Sequence, residues 1–302
     1  MVVKNRAAST LARLKNQAKK EGISYQMCLQ LFFQEEFLRR LSHSKYRENL
    51  VLKGGMFIYT LTAFDSRPTR DMDFLMKNLS NDLNRIKAVM DEICAVYTEN
   101  DYIFLEVTGT EQISLEKKYP GVKIKFLGYI ENVRVPFSVD VGIDDIIVPE
   151  AMFRCLSTRL DGFEAPKIYT YSLESTISEK FDAILQRMET TSRMKDFFDI
   201  YYLSNVFDFS GRTLKDAVMF TLKHRERKLE QDVFERIKVF ADNPFLKAQW
   251  GNFEPVKETG LDFSETLQQL EQFLYPVYHA VLQNEDFDRQ WFSAQKSWIL
   301  PY

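Results

Sequence analysis

Cysteine and histidine are scarce in this sequence, and what little there is stands apart. The three cysteines, Cys28, Cys94 and Cys155, are odd in number and widely spaced, and no C-x-x-C pair occurs. A disulfide framework and a thiolate zinc site are therefore excluded, and reduced thiols in a cytoplasm are expected. His43, His224 and His279 are isolated from one another, which removes His-based triads and helical zinc motifs, and with them most hydrolase chemistry. No apolar run approaches the ~20 residues that cross a bilayer. The N-terminus has bases but no apolar core of a signal peptide. The expectation is a soluble cytoplasmic protein with no membrane partner. There is no internal repeat and no low-complexity tract. Nor is there an excess of positive charge: 40 Lys and Arg against 43 Asp and Glu give a net charge of -3. That argues against a strongly cationic nucleic-acid binder and leaves room for a local basic groove.

Aromatics, by contrast, are plentiful, with 25 Phe and 14 Tyr among 302 residues. A sizeable core is possible, in one large domain or two modest ones. The stretch that organises the rest is Leu52-Lys53-Gly54-Gly55 followed by Arg70-Asp71-Met72-Asp73-Phe74. The apolar run from Asn49 to Leu52 reads as a strand that stops at a Gly pair, and Met56 to Phe64 reads as a short helix starting there. A second strand then carries Asp71 and Asp73, whose alternation points both to one face. Paired carboxylates repel and raise each other's pKa unless a cation lies between them. Mg²⁺ prefers oxygen ligands and is held by one or two carboxylates plus substrate phosphates. A Gly pair at a strand-to-helix turn lets backbone N–H groups approach an anion. A lone D-x-D or Gly-Gly is common and mostly marks a solvated strand end or a turn. The ordered set points to a site for a Mg²⁺-nucleoside triphosphate and resembles the opening motif of the polymerase-β-like nucleotidyltransferase superfamily.

Around this stretch the chain reads in order. Residues 1–20 carry Lys4, Arg6, Arg13, Lys15, Lys19 and Lys20 and no acid. Most read as a solvated helix face, with RNA phosphate as the alternative contact. Gly22 ends that helix and Ser24 caps the next, an amphipathic one from Tyr25 to Leu41. A helix is expected from Leu79 to Tyr97, then strands around 103–107 and 122–126 with a turn at Tyr119-Pro120-Gly121 between them. In the next strand Val133, Val135, Phe137, Val139 and Val141 share a face, so Arg134, Ser138 and Asp140 share the other. Asp144 and Asp145 read as turn acids. Pro149 and Pro166 bracket a boundary, which divides the chain into 1–160 and 161–302. Beyond it a helix runs from Ser175 to Met188, capped by Ser175 or Thr176, with Lys180 and Arg187 on one face. Another opens at Ser192 as N-cap, with Asp196 and Asp199 on one face and Lys195 beside Asp199. Acids in a first turn have a dipole role by default. From Asp208 the chain looks all-helical, with aromatic anchors at Phe234, Phe240, Trp250, Phe273, Tyr275, Trp291 and Trp298, and Pro276 should kink or break the helix from Ser264. The basic run Lys223 to Lys228 reads as a solvated face.

The blocks Leu52–Gly55, Arg67–Phe74, Val139–Gly142, Glu179–Phe181 and Ser192–Asp199 together resemble the AbiEii/MenT-type nucleotidyltransferase toxins. The resemblance implies an α+β fold, with a mixed β-sheet flanked by helices and a C-terminal helical lobe around a cleft. It implies a toxin of an abortive-infection toxin–antitoxin pair, its cognate antitoxin encoded nearby. The activity implied is Mg²⁺- or Mn²⁺-dependent transfer of a nucleoside monophosphate from GTP or a pyrimidine triphosphate to RNA, in particular the tRNA 3′ acceptor end. A protein-nucleotidylating enzyme and a catalytically silent nucleotide-binding regulator are the alternatives. On this reading Asp71, Asp73 and Asp140 hold the metal, and Lys180 and Asp196 join them as catalytic residues. Lys53, Gly54, Gly55, Arg193, Lys195 and Asp199 bind the nucleotide.

Overall fold

The structure is a computed structural model that describes residues 5–113, 121–143 and 145–300. The expected turn at Tyr119-Pro120 and the acid Asp144 lie outside the described residues. The chain divides into two compact units, residues 1–145 with 151–171, and residues 146–150 with 172–302.

The first unit is built on a mixed sheet, seven-stranded among the described residues. Its strands are β1 (Leu50–Lys53), β2 (Asp73–Met76), β3 (Phe104–Ile113), β4 (Gly121–Ile130), β5 (Val133–Ile143), β6 (Met152–Cys155) and β7 (Lys167–Thr170). Their order is β3-β4-β5-β2-β1-β7-β6. The β2–β5 and β1–β7 pairs are parallel and the others antiparallel. Because β6 and β7 flank residue 160 and both belong to this sheet, the units divide after Tyr171 rather than at residue 160.

Four helices accompany the sheet: α1 (Arg6–Lys20), α2 (Tyr25–His43), α3 (Gly54–Leu61) and α4 (Leu83–Cys94). Ser24 caps α2 by accepting from the Met27 N–H at 3.1 Å, and Asp82 caps α4 from the Arg85 N–H at 2.9 Å, so α4 starts later than expected. α2 is not amphipathic. It packs on β5, β7, α1 and α4, and every residue from Leu31 to Ser42 is buried. Its charged residues are tolerated inside because they satisfy one another. Glu36 accepts from Arg39 Nη1 (2.8 Å), Arg40 Nε (3.2 Å), Thr98 Oγ1 (2.7 Å) and Asn100 Nδ2 (2.8 Å). Glu35 pairs with Arg39 and accepts from the Arg159 N–H at 2.9 Å. Burial still pushes the Glu35 carboxyl above its ordinary range. On the sheet side Phe37 meets Phe74 and Phe126 edge-on. A Cβ on Gly128 would come within 2.4 Å of the Phe33 ring, so a glycine is what lets α2 lie this close to β4.

The second unit contains α5 (Leu173–Arg187), α6 (Met194–Val206), α7 (Gly211–His224), α8 (Val233–Val239), α9 (Pro244–Asn252), α10 (Glu254–Thr259) and α11 (Phe263–Gln283). Ser172, not Ser175 or Thr176, caps α5, because Ser172 Oγ accepts from the Ser175 N–H at 3.0 Å while Ser175 and Thr176 are buried in the first turn. The unit is not all-helical. Strands β8 (Phe209–Ser210), β9 (Gln290–Phe292) and β10 (Ser297–Ile299) form a small antiparallel sheet. Trp291 anchors it, fully buried, its Nε1 donating to the Ser204 carbonyl at 2.7 Å. Tyr275, expected as an anchor, is 45% exposed. α11 runs on through Pro276. An interior proline costs about 3 kcal/mol, and the buried face made by Phe273, Leu274, Val277 and Tyr278 offsets it. No helix among the described residues is long and apolar enough to cross a membrane.

Candidate active site

In the first unit, register decides what the strands present. Residues paired across a ladder point to one side of the sheet. Glu111 pairs with Lys123, Lys123 with Asp140, Asp140 with Asp73, and Asp73 with Lys53. The result is a lateral row of charge, Glu111–Lys123–Asp140–Asp73–Lys53, across β3, β4, β5, β2 and β1, with two carboxylates side by side at its centre.

At the end of β1, Lys53 is the N-cap of α3 and gives it no side-chain cap. Gly54 follows with φ +68°, where L side chains are strained. A Cβ there would also stand 2.6 Å from Asp73 Oδ2. At Gly55 a Cβ would stand 3.1 Å from Thr69 Oγ1 and 3.4 Å from Arg67 Nη2. The Gly pair therefore packs under both the Asp73 carboxylate and the Arg67–Thr69 segment. Lys53 Nζ reaches Asp145 Oδ2 at 2.6 Å, which turns that turn acid into an anchor.

Asp71 does not share a strand with Asp73. β2 begins at Asp73, and Asp71 is exposed in the segment before it. The Gln30 and Gln34 amides of α2 donate to the Arg70 carbonyl (3.0 and 2.8 Å), and the Asp71 N–H goes to Thr69 Oγ1 (3.3 Å), holding the segment out of the ladder.

Asp140 is half-buried, and that burial raises its pKa above the ordinary carboxylate value. Lys123 opposes the shift, while Asp71 and Glu111 add to it. Lys123 Nζ lies 3.3 Å from Asp140 Oδ1, within ion-pair range. That oxygen is nevertheless buried without a hydrogen bond among the described residues, so the ammonium sits off its lone-pair direction. A carboxylate oxygen whose near neighbour is one poorly aligned ammonium, beside a second carboxylate in register, is a donor set that suits an oxygen-seeking divalent cation. Among the described residues no three His, Cys, Asp or Glu side chains already stand in ligand geometry. Asp73 and Asp140 are aligned, and Asp71 approaches closely enough for its charge to act on Asp140.

The second unit carries its own cluster. Lys180 of α5 is buried rather than on a solvated face. Its Nζ lies 2.5 Å from Asp199 Oδ2 and 3.3 Å from Asp196 Oδ1, both buried on α6. Asp196 Oδ2 accepts from Arg193 Nε at 2.6 Å. Arg193, not Ser192, is the N-cap of α6, with its N–H on Thr191 Oγ1 at 3.2 Å and no side-chain cap. Arg193 and Lys195 line an open cavity of ≈ 390 Å³ with Ser192, Met194, Gln249, Asn252 and Phe253.

Sequence reasoning left Lys123, Arg67 and the cavity residues of α9 unassigned. Alternation along β4 does put Lys123 on the polar face, but only the register sets it against Asp140.

Two solved chains from Helicobacter pylori share this fold. JHP933 is 13% identical with a TM-score of 0.50, over 86% of this chain and 95% of its own. A chain solved as “putative nucleotidyltransferase from H. pylori” is 14% identical with a TM-score of 0.50, over 88% of this chain and 100% of its own. At such identities the likeness is one of fold. The profile described as nucleotidyl transferase AbiEii toxin, type IV TA system, matches residues 36–273. The chain belongs to that family, the nucleotidyltransferase toxins of type IV toxin–antitoxin systems. No curated protein sequence matches it.

Proposed function

We propose that this toxin transfers a nucleoside monophosphate from a nucleoside triphosphate to the 3′ acceptor end of tRNA. The observation that carries the reading is the in-register pair Asp73–Asp140, set against Gly54 at the start of α3, with Asp140 Oδ1 buried and unsatisfied.

Asp71, Asp73 and Asp140 would hold a divalent cation, Mg²⁺ or Mn²⁺. When bound, it supplies positive charge to the transferring phosphate and the leaving pyrophosphate. The remaining work falls to this chain's own groups. The uncapped N–H groups of α3 at Gly54 and Gly55 receive triphosphate oxygens, with Lys53 and Arg67 beside them. The acceptor 3′-hydroxyl oxygen forms a bond to the α-phosphorus, and the bond from that phosphorus to the bridging oxygen breaks, releasing pyrophosphate. Asp140, in register beside Asp73, is the carboxylate we assign to orient the acceptor hydroxyl and take its proton. Within the second unit, Lys180, Arg193 and Lys195 are the cations we assign to phosphate, with Asp196 and Asp199 orienting Lys180. GTP or a pyrimidine triphosphate is the donor we favour, and the cognate antitoxin is the protein partner.

The test is to incubate the chain with each radiolabelled triphosphate, first with total RNA and then with cell protein, beside an Asp73→Ala control. Label in the tRNA band that the control lacks is the expected result. Label confined to protein would move the acceptor to a protein hydroxyl. No label from any triphosphate would overturn the reading.

A further inference from the structure

The cavity at the N-terminal end of α6 combines chemistries that the row of strand acids does not. Two cationic side chains, Arg193 and Lys195, enter it from α6, and Met194 adds an apolar wall. From α9 come two primary amides, Gln249 and Asn252, one turn apart, and then the Phe253 ring. Phe253 ends α9 and begins the turn into α10 with extended backbone, φ -74° and ψ 122°. Its ring is held edge-on by Phe198 at 5.7 Å, and Trp250 lies 6.4 Å away. Trp250 in turn donates from Nε1 to the Leu261 carbonyl at 2.8 Å, which fixes the α9–α10 corner. The aromatic wall is therefore packed against its own neighbours.

Arg193 is poised in the same sense. Its Nε is committed to Asp196, while its terminal nitrogens carry no hydrogen bond among the described residues. With its side chain 41% exposed at the cavity wall, the guanidinium can receive an anion without breaking the buried cluster behind it.

We infer that this cavity binds one nucleotide, with the base against Phe253 and Met194. The base edge would be read by the Gln249 and Asn252 amides, and a phosphate would sit on Arg193 and Lys195. Each wall matches one part of that ligand. An aromatic ring stacks a base, a primary amide offers paired donor and acceptor to a base edge, and a planar guanidinium matches phosphate. The volume of ≈ 390 Å³ is of the size that small-molecule sites occupy. The nucleotide is either the donor triphosphate or the terminal nucleotide of the RNA acceptor, and the inference rests on the transferase reading only for that choice.

The experiment uses the full chain carrying Asp73→Ala, so that binding is read without turnover. Equilibrium dialysis measures each of the four nucleoside triphosphates and a short single-stranded oligoribonucleotide. Phe253→Leu, which keeps an apolar filler, and Asn252→Ala, at an exposed position, are compared with the parent, and melting is recorded for each. Weakening of about ten-fold for one ligand class by Phe253→Leu, with a changed base preference in Asn252→Ala and unaltered melting, is the expected result. Weakening of the triphosphates identifies the donor site, and weakening of the oligonucleotide identifies the acceptor site. Unchanged binding of every probe in both variants would overturn the inference. If no acceptor is ever labelled but nucleotide binding still depends on Phe253, the transferase reading fails and this one stands.

Discussion

Two buried ionic clusters, one in each unit, differ in how they end. The cluster of α2 is closed. Glu36 is wholly buried with four donors on it, and Arg40 Nη2 spends itself on the Ile103 carbonyl at 2.6 Å. Arg39 is nearly as buried, and its Nε goes to the Glu164 carbonyl at 2.8 Å. Among the described residues the arms of Glu36, Arg39 and Arg40 terminate on protein. The cluster of α5 and α6 is open. Lys180, Asp196 and Asp199 are as well buried, yet the chain of contacts continues to Arg193, whose side chain is 41% exposed on a cavity. Burial of charge therefore does not by itself separate scaffold from site. The distinguishing feature is whether the network has an unfinished end.

The largest effect should come from breaking the closed network. Glu36→Ala leaves Arg40 buried without a carboxylate, while Arg39 keeps Glu35, and should cost about 3–5 kcal/mol of stability in urea denaturation, with transfer per folded molecule unchanged. A loss well below that would show the network to be better hydrated than its burial implies. Breaking the open cluster should divide its cost differently. Lys180→Met should lower transfer by roughly 10²–10³, about 3–4 kcal/mol of transition-state stabilisation. It should also destabilise, because Asp199 stays buried without its lysine while Asp196 keeps Arg193. Transfer and melting measured on the same preparation decide this, and near-normal transfer would make the two clusters the same kind of object.

The strand-end acids sharpen the contrast through pH. Asp140 has a raised pKa, chiefly from burial. The folded state therefore favours its protonated form, and the stability from that preference is lost as pH rises through the raised value. Asp140→Asn should leave melting at neutral pH unchanged or higher, while transfer falls by about 10² with triphosphate binding retained. Among the site variants the smallest effect on transfer should be that of Gly54→Ala. Left-handed backbone costs a residue with a Cβ about 1–2 kcal/mol. The new methyl would meet Asp73 Oδ2 at 2.6 Å, so a misplaced carboxylate should slow transfer by roughly 10–10². Normal transfer in that variant would mean the close packing under Asp73 is incidental.

The elements that could be read in advance were those whose information is local. The strand-Gly-Gly-helix unit and the alternation of β5 lie in consecutive residues, and the structure has β1, α3 and β5 there. The shared strand of Asp71 and Asp73 did not hold, because side chains of α2, forty residues earlier, capture the Arg70 carbonyl. The burial of Lys180 could not be read in advance, since its partners Asp196 and Asp199 sit on another helix. The charge row was illegible for the same reason, as register between β5, β2 and β4 is a property of the assembled sheet. Strands β8, β9 and β10 are two or three residues long and leave no alternation to read.

The parallel pairing of β2 with β5 also has a consequence for how the toxin comes into being. The two central carboxylates meet only when residue 140 docks beside residue 73, and β7 must then return to lie along β1 from residue 167 onward. Contacts so far apart in sequence form late, because a long loop must close before they offset its entropy. A nascent chain that ends before β5 has the Gly pair, Asp71 and Asp73, but Asp73 has no Asp140 across the ladder. Interrupted synthesis thus yields fragments that cannot assemble the charge row, and harmfulness to the cell that makes it is deferred until the sheet is complete.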